Sequence, residues 1–184
     1  MGVLEGFRKK QIGERPIGVK SKTSSKKEAT VSEKEQIAEW LITGVSLYDE
    51  GKFEKAIEYY DKILAIEPSW EAWNNKGNAL RQLGKFDEAL HCLEEALKLN
   101  PEGLEAWHGK ANVLIDLNKA EEGLSCYDKA LKLHPEDSKK AMILSEKGVL
   151  LAYMGKERDA DECLQVALAL NPQNYLVWVN YILT

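Results

Sequence analysis

The chain has 184 residues, of which 44% are hydrophobic and 30% are charged, and its net charge at pH 7 is −5. This length is sufficient for the core of one domain, and glycine and proline are too sparse for a fibrous or low-complexity protein. The sequence has no run of about 18 apolar residues, the length that a membrane-spanning helix needs, so we expect a soluble protein.

The N-terminal segment, residues 1–34, is polar and basic. It carries nine Lys or Arg against four Glu, a net charge of +5, whereas the remaining 150 residues hold 16 basic and 26 acidic groups, a net charge of −10. A segment with so few large apolar residues cannot bury enough surface to offset the entropy lost on ordering. We therefore predict a flexible basic arm over 1–34 and a folded domain over 35–184.

The arm leads to two expectations about location and partners. Its first ten residues, MGVLEGFRKK, lack the apolar core of a secretory signal, which favours a cytoplasmic protein. The alternative function for the chain is a tether to nucleic acid or an anionic membrane, although the acidic domain opposes both partners. The arm is also expected to be able to dock on the acidic domain of its own chain or of a neighbour. The candidate tether residues are Arg8, Lys9, Lys10, Lys20, Lys22, Lys26 and Lys27.

From about residue 35 the sequence shows a helical repeat. Apolar residues recur at i, i+3 and i+4, and four prolines follow one another at intervals of 33, 34 and 37 residues. Small residues recur in two columns and Leu or Tyr in three others, so each unit is predicted to be a helical hairpin whose apolar faces are covered by the next. The prolines are Pro68, Pro101, Pro135 and Pro172, and the small residues are Gly44, Gly77, Ala111 and Gly148, then Ala56, Ala89, Gly123 and Ala160.

The repeated unit resembles the tetratricopeptide repeat, and its best match is WNNKGNAL, GKFDEAL and EEALKLNP between Trp73 and Pro101. The resemblance implies an all-α, right-handed solenoid of four hairpins at about 37–69, 70–103, 104–137 and 141–174, with a terminal helix at 175–184. It also implies a non-catalytic scaffold or adaptor that binds an extended peptide of a partner protein in a concave groove.

Two features of the second half depart from the repeat pattern. The aromatic residue that opens the second helix, Phe53 or Phe86, is replaced by Ala120 and then by Glu157. Three extra residues, 138–140, precede repeat 4. We expect looser packing in this half, with a longer turn before repeat 4 that twists or opens the stack.

The family's groove positions, carried onto this chain, lie on the first helix of each hairpin. An Asn carboxamide can donate to and accept from a peptide backbone at once, which suits a line formed by Asn74, Asn78 and Asn112. Arg81 adds a charge-assisted bond to a ligand carboxylate. The alternative interpretation is that these are ordinary solvated side chains. The peptide-groove candidates are Leu41, Val45, Tyr48, Asn74, Asn78, Arg81, His108, Asn112, Ile115, Ser145, Val149 and Tyr153.

Some family members clamp the acidic C-terminal tail of chaperones with Lys, Arg and Asn. Here the corresponding places hold apolar or acidic residues, and only Asn75 agrees, so chaperone-tail binding is disfavoured. The departing residues are Leu41, Val45, Met142 and Glu146.

The last segment, YLVWVNYIL over 175–183, is apolar on nearly every side. A helix that ends a solenoid should show water a polar face, so we predict self-association as a homodimer, or cover by the arm or a partner. The alternative is a helix buried against repeat 4. The candidate contact residues are Leu176, Val179, Ile182 and Leu183.

The sequence contains no motif that indicates catalysis, metal binding or a cofactor. There is no CxxC or HExxH motif, and His91, His108 and His134 occupy three different repeat positions. The three cysteines occupy one repeat position on successive second helices, too far apart to form disulfides. We expect free thiols, no active site, no metal and no cofactor.

Overall fold

The structure, a computed structural model, describes residues 30–173, and this range forms eight α-helices and no strand. Consecutive helices pair into four hairpins, and each hairpin packs on the next in chain order. This confirms the predicted all-α solenoid of four hairpins. The helices are α1 (Val31–Asp49), α2 (Phe53–Ile66), α3 (Trp70–Gln82), α4 (Phe86–Leu99), α5 (Leu104–Asp116), α6 (Ala120–Lys132), α7 (Asp137–Tyr153) and α8 (Glu157–Leu170).

Helix α1 begins at Val31, four residues before the predicted start of the folded domain at residue 35. Thr30 Oγ1 accepts a hydrogen bond from the Glu33 backbone N–H at 3.3 Å, and the Glu33 carboxylate accepts one from the Thr30 N–H at 2.7 Å. This capping box satisfies two backbone donors that the first helical turn leaves without partners. Residues 31–34 are therefore helical, although their composition is as polar as that of the segment before them.

Several predictions fall outside the described residues. They concern residues 1–29 of the arm with the basic tether candidates, and the terminal helix with its self-association candidates Leu176, Val179, Ile182 and Leu183. Within 30–173, no helix combines the length and apolar character needed to cross a lipid bilayer.

A column of small residues sets the distance between the two helices of each hairpin. A Cβ atom built on Gly77 would lie 2.8 Å from Cγ of Leu93, and one built on Gly148 would lie 2.7 Å from Cγ of Leu164. Both leucines are fully buried, so neither can move aside at low cost. In the third hairpin the place is taken by Ala111, which is also fully buried.

The turn inside each hairpin needs one residue in the left-handed backbone conformation. The sequence has Gly51, Gly84 and Gly155 near the ends of first helices, a position that predicts a helix stop, and their φ of +75°, +73° and +74° confirms it. In the third hairpin Asn118 adopts φ +59° at this place. Asparagine tolerates this region better than other side chains, which explains how repeat 3 keeps the turn without glycine.

An ion pair recurs at each of the three junctions between described hairpins. The pairs are Lys76 with Asp61 at 2.6 Å, Lys110 with Glu94 at 2.8 Å and Lys147 with Asp128 at 2.7 Å. Each joins the first helix of one hairpin to the second helix of the hairpin before it. In the first and last units the equivalent places hold Thr43 and Gln165, which carry no charge. The pairs therefore belong to internal junctions and favour one register of stacking there.

The three extra residues 138–140 do not lengthen the turn before repeat 4, and this prediction is wrong. Helix α7 begins at Asp137 and has 17 residues, whereas α3 and α5 each have 13. The sequence DSKKA continues the helix pattern, so the insertion extends α7 by about one turn. Lys139 Nζ binds Glu105 Oε1 at 2.5 Å, which ties the added turn to α5.

The stack is looser at this junction, as expected. The packing of α7 on α6 is sparser than that of α3 on α2 or α5 on α4. On the face formed by the first helices, α5 and α7 also pack less closely than α3 and α5. A gap between α5 and α7 results.

The substitution Gly77→Val should lower the free energy of unfolding by about 2 kcal/mol, because the added methyl groups overlap buried Leu93 and force the helices apart. Urea unfolding followed by circular dichroism measures this loss. The control is Gly84→Asn, for which we expect a loss below about 1 kcal/mol because asparagine supports the same backbone conformation. Equal losses in the two variants would show that helix separation is not the limiting constraint.

Candidate functional site

A groove of about 590 Å³ lies between α5 and α7. It brings together five of the twelve predicted peptide-groove residues: Arg81, Asn112, Ile115, Val149 and Tyr153. Six further residues line it: Asp116, Asn118, Ala120, Tyr127, Glu146 and Leu150. Apolar side chains form its walls, and polar groups of α5, α6 and α7 meet at its floor.

The sequence-based search missed Tyr127 because it considered only first-helix positions. Tyr127 lies on α6 and is almost completely buried. It occupies a core column that holds Leu93 and Leu164 in the second and fourth units. A hydroxyl group in such a column needs a partner, and this signal was present in the sequence.

A polar network at the groove floor joins three lining residues to His108, a predicted groove residue that does not itself line the groove. The Tyr127 hydroxyl lies 2.5 Å from Asn112 Oδ1 and 3.2 Å from Glu146 Oε2. A hydroxyl has one proton, so Tyr127 donates to Asn112 in the shorter contact. His108 Nε2 lies 2.5 Å from Glu146 Oε2, which assigns this ring nitrogen as the donor to the carboxylate. The network joins α5, α6 and α7 where their packing is sparse.

Burial raises the pKa of Tyr127 above its ordinary value, and the negative charge of Glu146 raises it further. The hydroxyl therefore keeps its proton at every physiological pH. It remains a hydrogen-bond donor and holds the Asn112 carboxamide in one orientation.

Arg81 and Asp116 form an ion pair at the rim of the groove. Arg81 Nε on α3 binds Asp116 Oδ2 on α5 at 2.5 Å, and both side chains are about 30% exposed. The charge of Arg81 is therefore largely compensated within the protein. The predicted bond from Arg81 to a ligand carboxylate would require competition with Asp116.

The three amide side chains that were predicted to bind a ligand together are not all free to do so. Asn74 is only 6% exposed, and its Nδ2 donates to Asn75 Oδ1 at 3.2 Å. Asn78 directs its Oδ1 against Gly109, where an added Cβ would lie 2.9 Å from it. Asn112 Oδ1 accepts a hydrogen bond from the Tyr127 hydroxyl, which leaves the Nδ2 group of this side chain for a ligand. The close packing of α3 on its neighbours is the physical reason.

The remaining predicted residues lie outside the groove. Ser145 is only 3% exposed in this structure, and its role in the groove stays a prediction. Leu41 and Tyr48 lie on α1 and are half-buried against the core around Tyr60, while Val45 is exposed on the same helix. They belong to the opposite end of the solenoid.

The described part of the chain contains no group of three or more His, Cys, Asp or Glu side chains placed to hold a metal ion. All three cysteines are free thiols. Burial raises the pKa of Cys92 to about 11, and it also raises the pKa of Cys126 and of Cys163. Each thiol is therefore mostly protonated at neutral pH and a weak nucleophile.

Comparison with protein families gives matches over most of the repeat region. Family models described as tetratricopeptide repeat match residues 38–70, 70–102 and 104–137, which together are more than half of the chain. These ranges coincide with the first three hairpins.

Individual relatives match shorter parts. The chain is 42% identical over 55 residues to the uncharacterized protein MJ0572 of Methanocaldococcus jannaschii, covering 29% of this chain and 64% of that protein. It is 38% identical over 76 residues to the TPR repeat-containing protein MJ1428 of the same organism, covering 40% of this chain and 13% of that protein. The chain thus covers less than two thirds of either relative.

Among solved structures, pilF of Pseudomonas aeruginosa superposes with a TM-score of 0.76 at 17% identity, covering 82% of this chain and 68% of that one. At this level of identity the similarity shows the fold alone.

Removing the Tyr127 hydroxyl should destabilise the α5–α7 junction. Tyr127→Phe leaves Asn112 Oδ1 without its donor, and we expect a loss of about 1–2 kcal/mol in the free energy of unfolding measured with urea. Tyr60→Phe, at the same repeat position in the first hairpin, is the control and should cost less. The network would have no structural role if the two losses were equal.

The cysteines should differ in their reactivity toward iodoacetamide. At pH 8 we expect slow alkylation of buried Cys92 and Cys126 and faster alkylation of half-buried Cys163, with mass spectrometry of the folded protein as the readout. Because the Cys92 pKa is raised to about 11, its rate should climb as the pH approaches that value. In urea all three rates should converge; rapid labelling of Cys92 at pH 8 in the folded protein would contradict its burial.

Proposed function

Because this chain belongs to the tetratricopeptide repeat family, we propose that it is a protein-interaction scaffold that holds an extended segment of a partner protein in the groove between α5 and α7. The observation that carries the proposal is the groove itself. Its volume of about 590 Å³ lies within the range of sites that enclose several side chains or a small ligand.

The walls of the groove supply apolar contact area. Val149 is 39% exposed and Tyr153 is 84% exposed, although large hydrophobic side chains such as these are usually buried. They lie one helical turn apart on α7 and therefore face the same side, opposite Ile115 of α5. Exposed apolar groups around a concave surface are typical of binding sites and lower the free energy of a complex when they are covered.

The floor supplies hydrogen bonding to a peptide backbone. Asn112 has its Oδ1 occupied by Tyr127, but its Nδ2 makes only a 3.4 Å contact with His108. This N–H group can therefore donate to a backbone carbonyl of the ligand. One oriented amide replaces the line of three that the sequence suggested.

We further propose a non-catalytic adaptor in the cytoplasm. The protonated thiols and the lack of a metal-binding group among the described residues support a binding role over a chemical one. Self-association through 175–184, docking of the basic arm and the tether hypothesis all concern segments outside 30–173, and they stay predictions.

The test is a random peptide library displayed on phage and selected against the full chain, followed by fluorescence anisotropy with a recovered peptide. The double variant Val149→Ala with Tyr153→Ala should weaken binding at least about tenfold, because each truncation removes apolar contact area. The double variant Val31→Ala with Ile42→Ala removes exposed apolar groups from α1 and is the control. Equal weakening in both, or none in the groove variant, would place the binding site elsewhere.

A further inference from the structure

The groove has an excess negative charge. Three of its lining residues belong to charged residue types: Arg81, Asp116 and Glu146. Arg81 and Asp116 compensate each other at 2.5 Å. Among the described residues, no Lys or Arg side chain forms an ion pair with the carboxylate of Glu146.

Glu146 is held in place by contacts on one oxygen only. His108 Nε2 at 2.5 Å and the Tyr127 hydroxyl at 3.2 Å both approach Oε2. No hydrogen bond or ion pair within the described range involves Oε1, and the side chain is 34% exposed. Oε1 is therefore an oriented acceptor that is open to a ligand.

The residues next to Glu146 on α7 suit the stem of a long basic side chain. Glu146, Val149 and Tyr153 follow at i, i+3 and i+7 and so lie on one face of the helix. A Lys or Arg side chain that reaches Oε1 with its head would lay its methylene groups across Val149. The exposed ring of Tyr153 lies at the outer end of this path and can contact a cation or an apolar neighbour.

Resting on the function proposed above, we infer that the α5–α7 groove selects an extended segment that carries Lys or Arg next to apolar residues, and that Glu146 is the specificity-determining residue. A partly buried carboxylate binds a cation more strongly than a solvated one, because fewer water molecules screen the charge. A segment with Glu at the same place would meet the repulsion of Glu146. The net charge of −10 over residues 35–184 adds a weaker attraction of the same sign at long range.

The experiment uses the full chain and four pools of acetylated, amidated heptapeptides with apolar flanks. The central residue is Arg, Lys, norleucine or Glu, and binding is measured by fluorescence anisotropy. Lysine and norleucine have similar aliphatic stems and differ in the ammonium group, so their comparison isolates the charge. We expect the Lys and Arg pools to bind about tenfold more tightly than norleucine, and the Glu pool to bind weakest. This preference should shrink at high salt.

The variant Glu146→Gln should bring the ratio of Lys to norleucine affinity close to one, and circular dichroism with a urea unfolding curve checks separately that the variant is folded. Glu122→Gln on the exposed side of α6 removes the same charge away from the groove and should keep the wild-type ratio.

The possible outcomes separate the two proposals. Equal binding of the Lys and norleucine pools to the wild-type chain would overturn the inference and leave the peptide groove standing. A preference for Lys that persists in Glu146→Gln would overturn the assignment to Glu146. Absence of binding by every pool would overturn the peptide groove and the inference together.

Discussion

The close approach of two helices at a column of small residues sets the geometry of every described hairpin. Gly77 and Gly148 leave room for the fully buried side chains of Leu93 and Leu164, and any larger residue at these glycines would separate the helices. A hairpin built in this way still exposes apolar faces, which only the next hairpin can cover. The helices of one hairpin pack closely, and each hairpin covers the apolar face of its neighbour. Together these contacts produce a solenoid and leave the surface formed by the first helices open.

The junctions between hairpins add a second, weaker constraint. Lysine on a first helix meets a carboxylate on the preceding second helix at each internal junction, for example Lys110 with Glu94 at 2.8 Å. The lysine side chains are only about one-fifth exposed and their carboxylate partners about half exposed, so these pairs are partly shielded from water. Their contribution to stability is modest, but a change of stacking register would separate all of them. The uncharged residues at the end positions restrict the pattern to internal junctions.

The candidate site arises where the repeat departs from its own pattern. Three extra residues extend α7 by about one turn, α5 and α7 pack less closely than α3 and α5, and a groove lies between them. Tyr127 fills the floor with a polar group where two other units have leucine. It fixes the orientation of Asn112, while His108 holds the carboxylate of Glu146. The features that loosen the stack thus also provide its oriented polar groups, which links local stability to the proposed binding role.

The all-α class, the four hairpins and the helix stops at glycine could be predicted from the sequence, because they depend on short-range spacing and on backbone preferences of single residues. The resemblance to the tetratricopeptide repeat implied the first helices as the place of most groove residues. Which candidate residues lie together in the groove depends on the packing of the hairpins. Asn74 and Ser145 are buried, Leu41 lies at the opposite end of the stack, and Tyr127 enters the groove from a second helix. Whether an inserted residue joins a helix or a turn, and which oxygen of Glu146 stays open, depends on contacts between residues 19 to 38 positions apart. Such contacts leave no periodic signal in a single sequence.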